Sequence, residues 1–299
     1  MTTPRPAQTS AYLLLILTTL FWSGNFVLAR ATHASIPPLT LSFARWAIAL
    51  MVLLPFGAAP AWRERARWLP HWRRLVLLGV LGIAGFNSLV YLGVQSTTAT
   101  NAVLMNSFIP ILIVLIGALF FGMQAGARQL AAIALSFVGV LMIVAHGDPL
   151  RLMRLDINHG DLIVFGAMVA WALYTLLLRG LPATLNRLGL LTVLVAIGLC
   201  AITPFFLAEF ASGARAPLNA TTLVTFAYVG TLPSVAAYYF YNLGVARVGA
   251  ARAGSFIHLM PMFGALLSVV FLGEAFRAYH AVGFALILGG VWLAARANR

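Results

Sequence analysis

The sequence predicts an all-α integral membrane protein of ten transmembrane helices arranged as two inverted five-helix repeats, and three observations carry that prediction. First, 62% of the 299 residues are hydrophobic and 8% are charged, with a mean hydropathy of +0.97. A soluble domain of that composition would expose large apolar patches to water. Second, the apolar residues fall into ten runs, each near the roughly 20 residues that a helix needs to cross a bilayer. Third, the runs repeat: Tyr91–Pro110, YLGVQSTTATNAVLMNSFIP, returns as Tyr241–Pro261, YNLGVARVGAARAGSFIHLMP.

In order, the runs are Ala11–Ala31, Leu39–Phe56, Leu75–Val94, Asn101–Phe121, Gln129–Ala145, Asp161–Leu178, Leu188–Ala208, Thr221–Leu243, Arg252–Gly273 and His280–Ala295. They read as helices, because an unpaired backbone group in hydrocarbon costs several kcal/mol and a helix pairs its own. They are also far longer than barrel strands. The first run superficially resembles a secretory leader ending at Ala29-Arg30-Ala31. It is too long for one and has a counterpart later in the chain, so it is expected to stay in the protein.

All 19 basic side chains besides histidine are arginine, against 6 acidic residues, and the isoelectric point is near 11.3. Arginines between apolar runs are topology signals rather than a face for nucleic acid. With the N-terminus in the cytoplasm, thirteen arginines fall inside, dominated by the cluster from Arg63 to Arg74. Five fall outside: Arg30, Arg151, Arg154, Arg215 and Arg277. Both termini are therefore expected to be cytoplasmic. Arg45 lies within the second run, about two turns from its outer end, and reads as a side chain that snorkels to the interface, with attraction of an anion as the alternative. Glu274, after the ninth run, reads as locally paired. The single cysteine, Cys200, excludes an intrachain disulfide and a cysteine metal cluster.

The duplication extends along the whole chain. Trp22 and Arg30 return as Trp171 and Arg179, 149 positions later, and Gly79, Gly122 and Gly139 return 151 positions later as Gly230, Gly273 and Gly290. The halves are expected to be residues 1–146 and 160–299. An odd number of spans in each copy puts the second copy into the membrane upside down, an architecture of many secondary transporters.

Polar and aromatic side chains share faces within the runs. Trp22 and Asn25 lie three apart in the first helix, as do Trp171 and Tyr174 in the sixth. Asn87 and Tyr91 share a face of the third helix, and their counterparts, Tyr238 and Asn242, carry the two residue types exchanged. Asn101 and His258 complete the set expected to hold a ligand. A lone Trp or Tyr here is ordinarily a belt residue, and a lone histidine a neutral hydrogen-bonded one. The asparagines at membrane depth have no role in a belt, and they tip the whole set toward a shared cavity.

Pro110 and Pro261 each remove the amide that would bond the carbonyl four residues earlier, freeing the carbonyls of Asn106 and Ile257. With Gly79 and Gly230 they are the expected hinges. Nothing acidic lies at the bilayer centre, so the usual carboxylate proton relay is missing. The chain has no HExxH, no P-loop glycine run and no pair of mid-membrane aspartates, so no enzyme activity and no metal site is expected.

Three stretches carry a resemblance to a known family: FWSGNFVLAR (Phe21–Arg30), AWALYTLLLR (Ala170–Arg179) and LMPMFGALLSVVFLGE (Leu259–Glu274). They resemble the EamA-type transporters of the drug/metabolite transporter superfamily, and the resemblance covers almost the whole chain. The first half departs from the family pattern at Gly122-Met123, where Gly-Glu is common in both halves. The chain looks most like the bacterial exporters of aromatic and other neutral amino acids, which also pass methyl viologen. That resemblance implies a cavity between helices one, three, four, six, eight and nine, and alternating access without a cofactor. It also implies a location in the bacterial inner membrane. The implied partners are the lipid bilayer and a small-molecule substrate, with no nucleic acid and a monomer as the working unit. A permease for a nucleoside, vitamin or sugar phosphate is the second reading. A non-transporting scaffold or sensor is the third, favoured only if apolar side chains fill the interior.

Overall fold

The computed structural model describes residues 5–97, 99–153, 158–182, 184–272 and 275–296. Arg154, Gly273, Glu274 and Arg299 lie outside the described residues, as do the side chains of Arg5 and Arg30. Among the described residues ten helices are long and apolar enough to cross a membrane. They are α1 Thr9–Ala29, α2 Pro38–Arg63, α3 Arg65–Gly93, α4 Asn101–Phe121, α5 Ala127–Val144, α6 His159–Leu178, α7 Arg187–Ala211, α8 Ala220–Val248, α9 Ala250–Leu267 and α10 Ala278–Ala295. Several outrun the apolar runs of the sequence. The helix α2 passes Phe56 and continues through Pro60 to Arg63, because a helix stays the cheapest way to pair backbone groups into the interface.

Polar side chains set where the helices begin. Asn158, Asn186 and Asn219 each accept a hydrogen bond from the amide three residues on, at 3.1, 3.0 and 2.9 Å, and so cap α6, α7 and α8. The carboxylate of Glu209, near the end of α7, accepts from the amides of Leu39 and Thr40 at 3.0 and 2.6 Å at the start of α2. Glu64, just past the end of α2, accepts from the amide of Asn186 at 2.7 Å at the start of α7. Each of these two helices thus ends beside a negative charge that sits on the positive end of the other.

The packing is written twice. The counterparts α2 and α7 pack on each other, and so do α5 and α10. The helix α6 packs against α3 and α4 of the first half, and α1 packs against α8 and α9 of the second. Each half therefore gives its first helix to the other. A Cβ placed on Gly93 would meet Val164 Cγ2 at 2.5 Å, and one placed on its counterpart Gly244 would meet Leu15 Cδ2 at 2.6 Å. Leu15 and Val164 are 149 apart, so the two crossings are the same crossing seen in opposite orientation. Gly79 against Ile197 and Gly230 against Ile48 form a second such pair, at 2.7 and 2.6 Å.

Four helices are not regular throughout. The backbone of α3 widens into a π-helical stretch over Gly79–Gly85, and that of α8 does so over Leu232–Ala236. The helix α4 is interrupted at residues 107–108, just before Pro110, and α9 tightens into a 3-10 turn over Phe256–His258, just before Pro261. The four residues expected as hinges lie in or beside these irregular stretches.

The close crossing of α5 and α10 supplies a test. A Cβ on Gly139 would stand 2.7 Å from Gly283 O and 2.9 Å from Ile287 N, both backbone atoms. Gly139→Leu is expected to lower the unfolding midpoint in detergent, by about 1–3 kcal/mol of overpacking. At Gly166, where an added Cβ meets nothing within 4 Å, an alanine is expected to leave the midpoint unchanged or raise it.

Candidate functional site

Three residues touch their own counterparts in the other half. The rings of Trp22 and Trp171 meet edge to face, 4.9 Å apart at 88°. Asn87 Nδ2 donates to Tyr238 OH at 2.9 Å, and His258 Nε2 lies 2.9 Å from Ser107 O. A residue can touch its counterpart only near the axis that relates them, so these pairs mark the pseudo-twofold axis of the inverted repeat.

Aromatic rings gather around that axis. Tyr238 and Tyr241 lie 5.9 and 5.2 Å from Trp22, and both lie within 5.2 Å of Trp171. Tyr174 lies 5.0 Å from Trp171. Their edges and tilts are the arrangements that a ring quadrupole favours.

The exchanged residue types make the same hydrogen bond in both halves. Tyr91 OH donates to Asn25 Oδ1 at 2.8 Å, and Tyr174 OH donates to Asn242 Oδ1 at 2.8 Å. Helix one supplies the acceptor and helix three the donor in the first half. In the second half the roles are reversed.

The irregular stretches are met by side chains. Trp22 Nε1 donates to Pro233 O at 3.1 Å, and Tyr238 OH donates to Gly82 O at 2.7 Å. Gly82 and Pro233 are themselves counterparts, 151 apart. One carbonyl is thus capped by an indole and the other by a phenol.

Arg45 corrects the sequence reading. It is 1% exposed and does not snorkel. Its Nε donates to Ser234 Oγ at 2.5 Å, its Nη1 to Asn25 Oδ1 at 3.0 Å and to Tyr91 OH at 2.8 Å, and its Nη2 to Pro233 O at 3.3 Å. Distance from the helix end suggested snorkelling, but the face of the helix decides. Leu41, Ser42, Trp46, Ala49 and Leu53 are buried on α2 at helical spacing, and Arg45 stands on that same face. That pattern was present in the sequence.

A narrow cleft lies beside the axis, with Trp22, Asn25, Arg45, Asn87, Asn106 and Trp171 in its wall. Apolar side chains of α1, α3, α4 and α9 make up the rest. The centre of a water molecule fits within only about 10 Å³ of it, near the least that holds one water. The walls are drawn together. Two buried donors beside or near this region, Trp171 Nε1 and Asn242 Nδ2, have no hydrogen-bond partner.

The ten expected ligand residues therefore divide. Trp22, Asn25, Asn87 and Trp171 reach the wall of the cleft. Tyr91, Tyr174, Tyr238 and Asn242 are buried behind it and hold it through the bonds above. Asn101 is elsewhere, where α6 begins. Its Nδ2 donates to Asp161 Oδ2 at 2.9 Å, the other oxygen of that carboxylate accepts from Thr97 Oγ1, and Asn158 N adds a third bond at 2.9 Å. Asp161 is buried and ties α6 to the hairpin between α3 and α4. Sequence reasoning missed that tie, although Asn158 and Asp161 have the spacing of a capping box. His258 stands apart from the cleft wall. Its Nε2 faces the Ser107 carbonyl and donates to it, and its Nδ1 lies 2.5 Å from Ser136 Oγ. The ring joins α9 to α4 and α5.

Comparison with known proteins bears on what such a cleft serves. The model of the EamA-like transporter family matches residues 9–145 and again residues 158–296. The chain is 25% identical over 282 residues to the uncharacterized transporter YyaM of Bacillus subtilis, covering 94% of this chain and 92% of that one. It is 27% identical over 280 residues to the probable terminal-alkyne amino-acid exporter of Streptantibioticus cattleyicolor, covering 93% and 91%. It is 22% identical over 293 residues to the probable amino-acid metabolite efflux pump of Escherichia coli, covering 94% and 93%. A crystal structure with 22% identity shares the fold over 96% of both chains, with a TM-score of 0.76.

The exchanged hydrogen bond can be measured. In a double-mutant cycle of Tyr174→Phe and Asn242→Ala, read by unfolding in detergent, a coupling of about 0.6–2 kcal/mol is expected. A coupling of zero would mean that the repeated bond contributes nothing to holding α6 against α8.

Proposed function

The chain belongs to the EamA-like transporter family, and from that membership we propose that it exports aromatic and other neutral amino acids by alternating access. It is a multi-pass membrane transporter, and the bilayer is its solvent. The observation that carries the finer reading is the ring cluster around the axis. Trp22 and Trp171 offer ring faces to an aromatic side chain from the cleft wall, and Tyr174, Tyr238 and Tyr241 pack behind them and hold those rings. Asn25, Asn87 and Asn106 in the cleft wall offer donors and acceptors to an amino acid's backbone groups. Two relatives whose names speak of amino-acid export agree with this reading.

Alternating access follows from the exchange of helices between the halves, here taken as residues 1–146 and 160–299. The chain sits in the bacterial inner membrane with both termini cytoplasmic. On the outer side α6 closes on the α3–α4 hairpin through Asp161. On the inner side its counterpart is Tyr12, whose OH donates to Ala295 O at 3.0 Å and whose ring stacks on Phe256. With both ends closed, the contracted cleft corresponds to a state between outward and inward opening, and the irregular stretches at Gly79, Pro110, Gly230 and Pro261 are where the helices bend to open it. Trp22, Asn25, Asn87 and Trp171 touch substrate, Tyr91, Tyr174, Tyr238 and Asn242 hold them in place, Asn101 serves the outer closure, and His258 steadies α9. One chain supplies every wall, so a monomer suffices.

One observation favours a second reading. Arg45 in the cleft wall suits an anionic metabolite such as a sugar phosphate, the permease substrate that wants a basic group inside.

Purified protein in liposomes is expected to move labelled phenylalanine or tryptophan. Trp171→Ala and Tyr238→Ala are each expected to slow that flux roughly two- to tenfold, the worth of one ring contact, at unchanged expression. Normal flux in both variants would remove these residues from the site.

A further inference from the structure

Arg45 carries a charge that nothing in the described interior balances. Four of its five N–H bonds are spent on Ser234 Oγ, Asn25 Oδ1, Tyr91 OH and Pro233 O, all of them neutral acceptors. Among the described residues the only ion pair joins Arg67 to Glu64, in the connection from α2 to α3. A guanidinium does not give up its proton inside a protein, and burying a charge without a counter-charge is costly. Arg45 forms part of the cleft wall.

A second donor is left over in the same wall. Trp22 spends its indole N–H on Pro233 O, and the counterpart bond would run from Trp171 to Gly82 O. That carbonyl is already taken by Tyr238 OH, so the buried Trp171 Nε1 lacks the counterpart bond and has only the Tyr241 hydroxyl beside it, outside good hydrogen-bond geometry. Trp171 is 1% exposed and lines the cleft. A cation with one free N–H and an unspent indole N–H together ask for a single oxyanion.

We propose that Arg45 is the carboxylate-recognition residue of this cleft, assisted by the Trp171 indole N–H, and that the site therefore selects monoanionic carboxylates over amines and dications. The proposal rests on the transporter reading above and names the group by which substrate is held. One positive charge balances one carboxylate and leaves a phosphate dianion in excess. It repels methyl viologen, although the ring faces alone would welcome a cation. It also limits the substrate at one end only, leaving the aromatic cluster to choose the side chain.

The test is binding to the purified full-length protein in detergent, with matched ligands: phenylalanine, phenylalaninamide, 2-phenylethylamine, 3-phenylpropionate, glucose 6-phosphate and methyl viologen. The two carboxylates are expected to bind at least tenfold tighter than the amide, the amine, the phosphate and the viologen. Arg45→Gln is expected to bring the ratio of acid to amide near one, and Arg45→Lys to keep a preference for the acid. Trp171→Phe is expected to weaken the acid and spare the amide. Unfolding midpoints are recorded for each variant. A merely structural Arg45 would lower the midpoint and leave the ratio untouched, and that result overturns the proposal. So does a wild-type ratio near one, a preference for the phosphate, or no binding by any carboxylate. If Arg45→Gln does not fold, the wild-type ratio and the Arg45→Lys variant decide. If 3-phenylpropionate binds through Arg45 and phenylalanine does not, the amino-acid reading falls and carboxylate recognition stands.

Discussion

In or near each of the four breaks in these helices, a side chain of the opposite half donates to a backbone carbonyl. Tyr238 reaches Gly82 O, Trp22 and Arg45 reach Pro233 O, His258 reaches Ser107 O, and Ser23 reaches Met260 O at 3.0 Å. An unmet carbonyl in the membrane costs several kcal/mol, so neither half can keep its irregular stretches alone. The breaks allow bending, and the crossed donors decide where the two halves must meet. The aromatic cluster is placed by the same requirement, because three of those donors are Trp22, Tyr238 and the Arg45 that packs against Trp46.

The inverted repeat is close to symmetric in its packing and unequal in its chemistry. The glycine crossings of Gly93 and Gly244, or of Gly79 and Gly230, are the same contact in two orientations. Along the axis the counterparts differ: Trp22 has an acceptor and Trp171 has none, Ser107 offers a carbonyl and His258 a ring. At the two ends, Asp161 bonds Asn101 through its carboxylate where its counterpart Tyr12 bonds Ala295 O through a phenol and stacks its ring on Phe256.

The ten helices and their inversion were legible because hydropathy and an odd span count are properties of whole segments. The faces were legible too: Trp22 with Asn25, and Asn87 with Tyr91, come together as their spacing requires. What could not be read was which polar residue meets ligand and which meets another helix. Tyr174 and Asn242 satisfy each other, a fact that depends on the crossing of α6 and α8 and on no local pattern. Arg45 was read by depth when its face mattered, and Asp161 was read as the start of a helix when it also bonds Thr97 and Asn101 across to α3 and α4. The π-helical stretches carry glycine and proline, but those residues do not announce a widened turn, because a kink needs the same composition.

The exchange of asparagine and tyrosine between Asn25–Tyr91 and Tyr174–Asn242 has a meaning for how the two halves are compared. Either residue changed by itself would strand a hydroxyl or an amide inside the membrane, at about 1–3 kcal/mol. What the two halves share at these positions is therefore the bond, held by two positions jointly, and not the letters. Compared letter by letter, the two halves look unrelated at these four sites. Compared by donor and acceptor, both halves make the same phenol-to-amide bond, to which Arg45 adds two donors in the first half alone.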